Sequence, residues 1–115
     1  MNKSIICTDN APAAIGPYSQ AVKVGNLLFT SGQIALVPSS GELVSKDIKE
    51  QTKQCLENIK AILEQAGTDL SNCVKCNIFI KDMNQFGVIN EVYGSYFRDN
   101  PDRKSTRLNS SHITI

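Results

Sequence analysis

The sequence predicts an α+β domain: a β-sheet with two helices packed on one of its faces. Two apolar, β-branched runs flank Gly25-Asn26, a dipeptide of the hairpin-turn kind. An apolar stripe at spacings of three and four runs from Ile48 to Ala66, which is the period of an amphipathic helix. Alternation over residues 73–80 marks a strand with one buried face, and a second helical stripe follows it. The resulting order, β-ββ-α-β-α, calls for a layered architecture.

Each element has a local reason. Residues 3–7 alternate weakly and read as a short strand. Residues 19–24 and 27–31 are the hairpin arms, because Gly25 and Asn26 both tolerate the positive φ of a two-residue turn. Pro38, Ser39, Ser40 and Gly41 make residues 35–46 a loop. The first helix carries Ile48, Thr52, Cys55, Leu56, Ile59, Ile62, Leu63 and Ala66 as one apolar stripe. Asp47 reads as its N-cap with Glu50 as the reciprocal partner. Gly67 ends it, since glycine takes the left-handed position after a helix at little cost. In the following strand, Val74, Cys76, Ile78 and Ile80 share one face, and Lys75 and Asn77 lie on the other. Asp82 to Asn84 cap the second helix, whose stripe is Phe86, Ile89, Val92 or Tyr93, Tyr96 and Phe97.

A chain of 115 residues makes one domain with a small core. The net charge is +1, with Lys and Arg scattered among acids, so no basic face favours nucleic acid as a partner. No apolar run approaches the roughly 20 residues of a membrane span. The apolar stretch near Met1 is too short for a secretory signal. The expectation is an intracellular, cytoplasmic protein with no membrane partner, a mitochondrial location being left open. Four cysteines in such a chain read as free thiols. Cys73 and Cys76 form a C-x-x-C, but on a strand they point to opposite faces, and no second pair or nearby histidine completes a zinc site.

Residues 11–33 carry the functional signal. A proline-punctuated lead-in, Ala11-Pro12-Ala13-Ala14-Ile15-Gly16-Pro17, presents Tyr18. The hairpin then ends in Thr30-Ser31-Gly32-Gln33, with polar groups where apolar core would continue. This pattern fits a small-molecule site built on strand ends. Taken singly, the residues also have plainer readings. Ser31-Gly32 reads as a strand ending in a bulge, Tyr18 as a core or interface residue, and Asn90 as a solvated helix position. A Ser31 nucleophile would need a base, and the only histidine is His112 in the tail, so that chemistry is rejected.

After Asn100-Pro101 the pattern changes. Residues 102–115 show no period of 2 or 3.6 until their last few positions. Back-translated, they resemble a sequencing-library adapter with an index. The expected division is therefore an incomplete domain at 1–101 and a segment at 102–115 that is a translated cloning or assembly artefact, with a genuine divergent tail as the alternative. The triplet Asn109-Ser110-Ser111 then carries no glycosylation meaning.

Several motifs stand in order: Ala11 to Tyr18, Thr30-Ser31-Gly32-Gln33-Ile34, Gln51-Thr52, Asn58, Ala66-Gly67, Phe79 to Met83, and Asn90-Glu91-Val92-Tyr93. With them the chain resembles, over residues 2–101, the Rid family of reactive intermediate deaminases. The family is also called the liver perchloric-acid-soluble protein or endoribonuclease L-PSP type. The resemblance implies a chorismate-mutase-like mixed sheet with two helices on one face, the last two family strands being missing or replaced here. It implies a homotrimer with sites in the clefts between subunits, and no cofactor or metal. The implied activity is hydrolysis of imines and enamines, such as 2-iminobutanoate, 2-iminopropanoate and 2-aminoacrylate, to 2-keto acids and ammonia. The implied catalytic residues are Tyr18, Ser31 and Asn90, and the substrate-binding residues are Gly32 and Arg103. Arg103 lies near the family's carboxylate-binding arginine, one residue short of its register.

That chemistry needs a cation for the carboxylate, a positioned water and a shielded pocket. Arginine suits the first need because its fork matches a carboxylate bidentately. Orientation of the water supplies most of the acceleration, since the substrate is already reactive. An alternative is a non-catalytic trimer that binds small carboxylates or acts as a holdase in the same clefts. A ribonuclease or translation inhibitor has less behind it: no basic stripe, no aromatic stacking platform, and no acid–base histidine outside the tail. A sheet lacking its last strands exposes an edge and apolar surface. The literal chain is therefore expected to fold poorly, to fail to trimerise and to be inactive.

Overall fold

The hairpin forms around Gly25, whose φ is +58°. A computed structural model of the chain describes residues 3–14, 18–73, 78–80, 82–97 and 113–114. Strands β1 (Lys3–Ile6), β2 (Ala21–Val24) and β3 (Leu27–Thr30) make an antiparallel meander in that order. Ile6 pairs with Ala21, Ala21 with Thr30, and Lys23 with Leu28. Directly paired residues share a face, so Ile6, Ala21 and Leu28 lie together on the side that meets the core. The other face carries the rows Ile5-Val22-Phe29 and Val24-Leu27. Three of these are large and uncovered: Ile5 is 66% exposed, Leu27 57% and Phe29 59%. The arms are shorter than the spans 19–24 and 27–31 because Ser19, Gln20 and Ser31 turn to the bonding that builds the site.

Helix α1 (Ile48–Gln65) is the centre of the fold. Cys55, Leu56, Ile59 and Leu63 pack with Ala35 and with Val92 of α2 (Phe86–Phe97), and Ile62 packs with Ala11 and Ala21. Both helices thus serve a single core, and α1 covers one face of the meander. The helix ends at Gly67, at φ +84°, where the N–H of Gly67 donates to the Glu64 carbonyl and that of Thr68 to the Leu63 carbonyl. This double closure satisfies carbonyls that would otherwise end unpaired. The start differs from the sequence reading. Asp47 makes no side-chain cap bond. Instead Ser45 Oγ accepts the Asp47 N–H at 3.1 Å, and Gln51 Nε2 donates to the Ser45 carbonyl at 2.8 Å. The longer Gln51 carboxamide reaches back where the Asp47–Glu50 pair was expected to act.

Of the strand read over 73–80, the described residues include Ile78–Phe79. Leu70–Asn72 form a 3₁₀ turn, set by the Asp69 carboxylate accepting the Ser71 N–H at 2.7 Å. Strand β4 is Ile78–Phe79, and residues 74–77, with Cys76 among them, lie outside the described residues. β4 pairs in parallel with β5 (Ile113–Thr114), so the described residues form two ladders rather than one sheet. A parallel pair needs a crossover, and α2 supplies it. β5 falls at the end of the 102–115 segment, the part where a strand period returns. Asp82 caps a 3₁₀ turn, Met83–Gln85, that leads straight into α2, accepting the Asn84 N–H at 3.0 Å. Among the described residues no helix is long and apolar enough to cross a membrane.

Two protons, one in the core and one at its edge, set an alkaline limit on stability. Burial pushes the Cys55 thiol up from 9.0 to about 12. Burial, reinforced by a 2.6 Å hydrogen bond to Glu57 and by the charge of that carboxylate, raises the Tyr96 hydroxyl above its usual 10.0. Above pH 9 the unfolded chain releases protons that the native state retains, so native stability falls as pH rises. Below pH 9 the contribution is fully present. Urea midpoints should hold level up to that point and then decline towards pH 12, with Cys55 alone contributing a slope of up to about 1.4 kcal/mol per pH unit. Cys55→Ala should remove that share of the slope. A midpoint unchanged between pH 9 and 12 would refute the assignment.

Candidate active site

Two buried carboxamides pin the two walls of one cleft. The first is Gln20, only 4% exposed at the start of β2. Its Oε1 accepts the Thr8 N–H at 2.6 Å, and its Nε2 is shared among the carbonyls of Thr8 (3.0 Å), Ala11 (3.2 Å) and Pro12 (2.8 Å). A single side chain thus holds the lead-in against the sheet. It satisfies backbone groups that this strandless segment cannot pair by itself. The second is Asn58, fully buried on α1. It donates to the carbonyls of Ile34 (3.3 Å) and Leu36 (3.0 Å) and accepts from Gln54 Nε2 at 2.8 Å. Cys55 Sγ adds a contact to the Gln33 carbonyl at 3.6 Å. Residues 33–36 are therefore anchored to α1 without belonging to a strand.

Between these walls lies a cleft of about 310 Å³. Pro12, Ala13, Ala14 and Tyr18 line one side, and Ser31, Gly32, Gln33, Ile34 and Leu36 the other. Three of the expected site residues, Tyr18, Ser31 and Gly32, are thus brought together. Tyr18 is 71% exposed and stands at the mouth. The Ser31 N–H donates to the Gln20 carbonyl at 2.9 Å, and its hydroxyl donates to the Ser19 carbonyl. That hydroxyl proton is spent, so Ser31 Oγ offers lone pairs to the cleft. Asn90 is not among the lining residues; it is exposed on α2. Arg103 lies outside the described residues, as does His112.

Three polar lining residues were not among the expected site residues: Ser19, Gln20 and Gln33. Gln33 is 6% exposed, and its Nε2 donates to the Ser31 carbonyl at 3.3 Å. The available signal was a glutamine inside an otherwise apolar, strand-forming run.

The chemistry open to the cleft is narrow. Among its described lining residues Tyr18 is the only ionisable side chain. No hydroxyl–base pair is present there, which disfavours nucleophilic catalysis through Ser31. Among the described residues no three His, Cys, Asp or Glu side chains gather closely enough to hold a metal. A second hollow of about 400 Å³ lies beside α1, near Thr8, Asn10, Gln54 and Glu64. Its charged side chains Glu57, Lys60 and Glu64 are exposed, and Glu57 is taken up by the Tyr96 hydroxyl. The first cleft, with buried polar groups fixed at its floor, is the better binding site.

Comparison with known proteins identifies the family and the fold. The family model described as Endoribonuclease L-PSP matches residues 8–109. A RutC family protein of Pyrococcus abyssi is 57% identical over 97 residues, covering 84% of this chain and 76% of that protein. The mouse protein named 2-iminobutanoate/2-iminopropanoate deaminase is 50% identical over 96 residues, covering 84% of this chain and 71% of its own. The crystal structure of E. coli TdcF with bound serine superimposes with a TM-score of 0.82 at 41% identity, over 97% of this chain and 85% of that one. The meander and the two helices therefore have a common explanation: the chain belongs to the Rid family, the endoribonuclease L-PSP type, which includes proteins named as imine deaminases.

Proposed function

We propose that this protein hydrolyses 2-imino acids and their enamine tautomers, with 2-iminobutanoate, 2-iminopropanoate and 2-aminoacrylate as the substrate class. The observation that carries the reading is the cleft itself. Tyr18, Ser31 and Gly32 surround a volume suited to a small acid, and among the described lining residues no nucleophile–base pair accompanies them. Such a site suits a substrate that needs orientation more than activation. The name of the mouse relative supports the same reaction.

In the proposed reaction a water oxygen bonds to the imine carbon, and the C=N π pair moves onto nitrogen. The water gives one proton to that nitrogen, leaving a carbinolamine. The carbinolamine hydroxyl proton then passes to nitrogen, the C–N bond breaks, and ammonia departs as the C=O bond forms. Ser31 Oγ, with its own proton held by Ser19, acts as a hydrogen-bond acceptor for the reacting groups. Gly32, without a side chain, lets its backbone come close to the substrate. Tyr18 covers the mouth. Arg103 would hold the carboxylate.

Asn90 enters this scheme through assembly. We propose a homotrimer in which the cleft is closed by a neighbouring copy, whose Asn90 braces it. The uncovered apolar face of the meander supports association, since Ile5, Leu27 and Phe29 are large and exposed on one side. The proposed compartment is the cytoplasm, and the proposed domain is residues 1–101; of residues 102–115 only Arg103 is given a part in the scheme.

The test couples the protein to a threonine or serine dehydratase and follows keto-acid release. It is run on the chain as it stands and on one carrying a Rid-type terminus after Pro101. Acceleration is expected. Ser31→Ala and Tyr18→Ala should slow it about tenfold to a hundredfold without altering the assembled mass. A protein that keeps its assembly, binds 2-oxobutanoate and accelerates nothing would be a small-carboxylate binder instead.

A further inference from the structure

Gln33 presents an unmet acceptor at the floor of the cleft. Its side chain is 94% buried, being 6% exposed, and it lines the same hollow as Ser31 and Gly32. One end of the carboxamide is fixed, because Nε2 donates to the Ser31 carbonyl. A carbonyl acceptor requires the NH₂ end there, so Oε1 is the other end. Among the described residues no donor reaches that oxygen. A buried amide oxygen left without a donor costs free energy, and native interiors rarely tolerate one. An occupant of the cleft is the natural donor.

The neighbouring groups say which part of an occupant fits. Ser31 Oγ has given its proton to Ser19 and is an acceptor too. The floor therefore offers two side-chain acceptors, and no cationic side chain is among the described lining residues. A carboxylate, which only accepts, is repelled from such a floor. A nitrogen bearing two N–H groups matches it.

We propose that Gln33 Oε1, together with Ser31 Oγ, receives the two N–H groups of the enamine or protonated-imine nitrogen and so fixes the direction in which the substrate lies. The nitrogen points to the floor, and the carboxylate points to the mouth beside Tyr18. The arrangement also holds the departing ammonia until the carbonyl has formed. This assignment rests on the deaminase reading, which it sharpens by making the cleft selective for a primary imine or enamine over an N-substituted one.

The experiment uses Gln33→Met, which keeps length and volume and removes both hydrogen-bonding ends. Each protein is measured as the full chain, with the version carrying a Rid-type terminus after Pro101 beside it. Rates are taken for 2-iminobutanoate and for its N-methyl counterpart, which has one N–H fewer. Wild type should prefer the primary imine about tenfold to a hundredfold, and Gln33→Met should lose most of that preference. Equal loss on both substrates, alongside a lowered melting temperature, would reduce Gln33 to a support for Ser31. No loss on either would also overturn the assignment.

A second readout does not depend on turnover. Calorimetry compares L-serine with 3-hydroxypropanoate, which lacks the amino group. Wild type should favour serine, and the variant should favour neither. If wild type shows this selectivity and hydrolyses no imine, the deaminase reading fails while the Gln33 assignment stands. If wild type hydrolyses imines and the variant keeps the serine preference, the assignment fails alone.

Discussion

Gln20→Leu is expected to lower the melting temperature by roughly 10–20 °C, given about 3–5 kcal/mol lost in a domain of this size. Leucine nearly matches glutamine in volume, so little cavity forms. The loss comes from hydrogen bonds. The Thr8 N–H and the carbonyls of Thr8, Ala11 and Pro12 all give up their partner at once. Each buried polar group left unsatisfied costs about 1–3 kcal/mol, and the half-buried Pro12 recovers part of that from water. The exposed Gln65→Leu is the control, and it should change stability by less than about 0.5 kcal/mol. Function should suffer beyond stability. Tyr18 lies two residues before Gln20, and the lead-in that forms its wall is held by this one side chain. A shift of about 1 Å in such a wall is enough to cost up to a hundredfold in rate. Thermal melts and imine hydrolysis well below the variant's melting temperature check both parts. A variant that melts within a few degrees of wild type would mean that the lead-in has another anchor.

The contrast between Gln20 and its neighbours shows what a sequence can and cannot display. Gly25, Gly67 and the stripe of α1 were legible because their causes are local: a positive φ, a helix end, a spacing of three and four. Tyr18, Ser31 and Gly32 were legible for a related reason, as polar residues interrupting an apolar pattern over a few positions. Gln20 acts on backbone groups eight to twelve residues earlier, and Asn58 on carbonyls twenty-two to twenty-four residues earlier. A backbone carbonyl looks the same under every side chain, so no residue pattern marks these partners. A glutamine on a strand accordingly reads as a solvent-facing residue, although Gln20 and Gln33 are among the most buried polar groups described. Competition between alternatives hid other features. Asp47 and Glu50 fit a cap, yet Gln51 and Ser45 make the bonds. Asp69 sets a 3₁₀ turn, Leu70–Asn72, just before the strand read over 73–80, and no periodicity marks it. Asn90 carries no local cue for a site, because exposure on a helix is also what an ordinary surface residue shows.

Phe29→Glu is expected to reduce the assembled protein to single chains. Phe29 ends the row Ile5-Val22-Phe29 on the uncovered face of the meander, beside the row Val24-Leu27. In a lone chain it is 59% exposed, so replacing it opens no cavity and should change the chain's own stability by no more than about 0.5 kcal/mol. In an assembly built on this face the same substitution buries an unpaired carboxylate, which costs several kcal/mol per ion. Closed symmetry repeats that cost in every subunit. Lys3 lies at the rim of the same face, opposite Val24, and is exposed. Lys3→Glu changes charge without burying it, so it should leave the mass unaltered. Size exclusion with light scattering decides between the outcomes. Wild type should run at three times the chain mass and Phe29→Glu at one, with matching circular dichroism. Hydrolysis should fall with the mass, because the proposed brace from a neighbour's Asn90 is lost while Tyr18, Ser31 and Gly32 stay in place. A variant that keeps the parental mass would move the interface elsewhere. One that loses assembly but keeps its rate would show that a single chain's cleft is sufficient and that Asn90 takes no part in it.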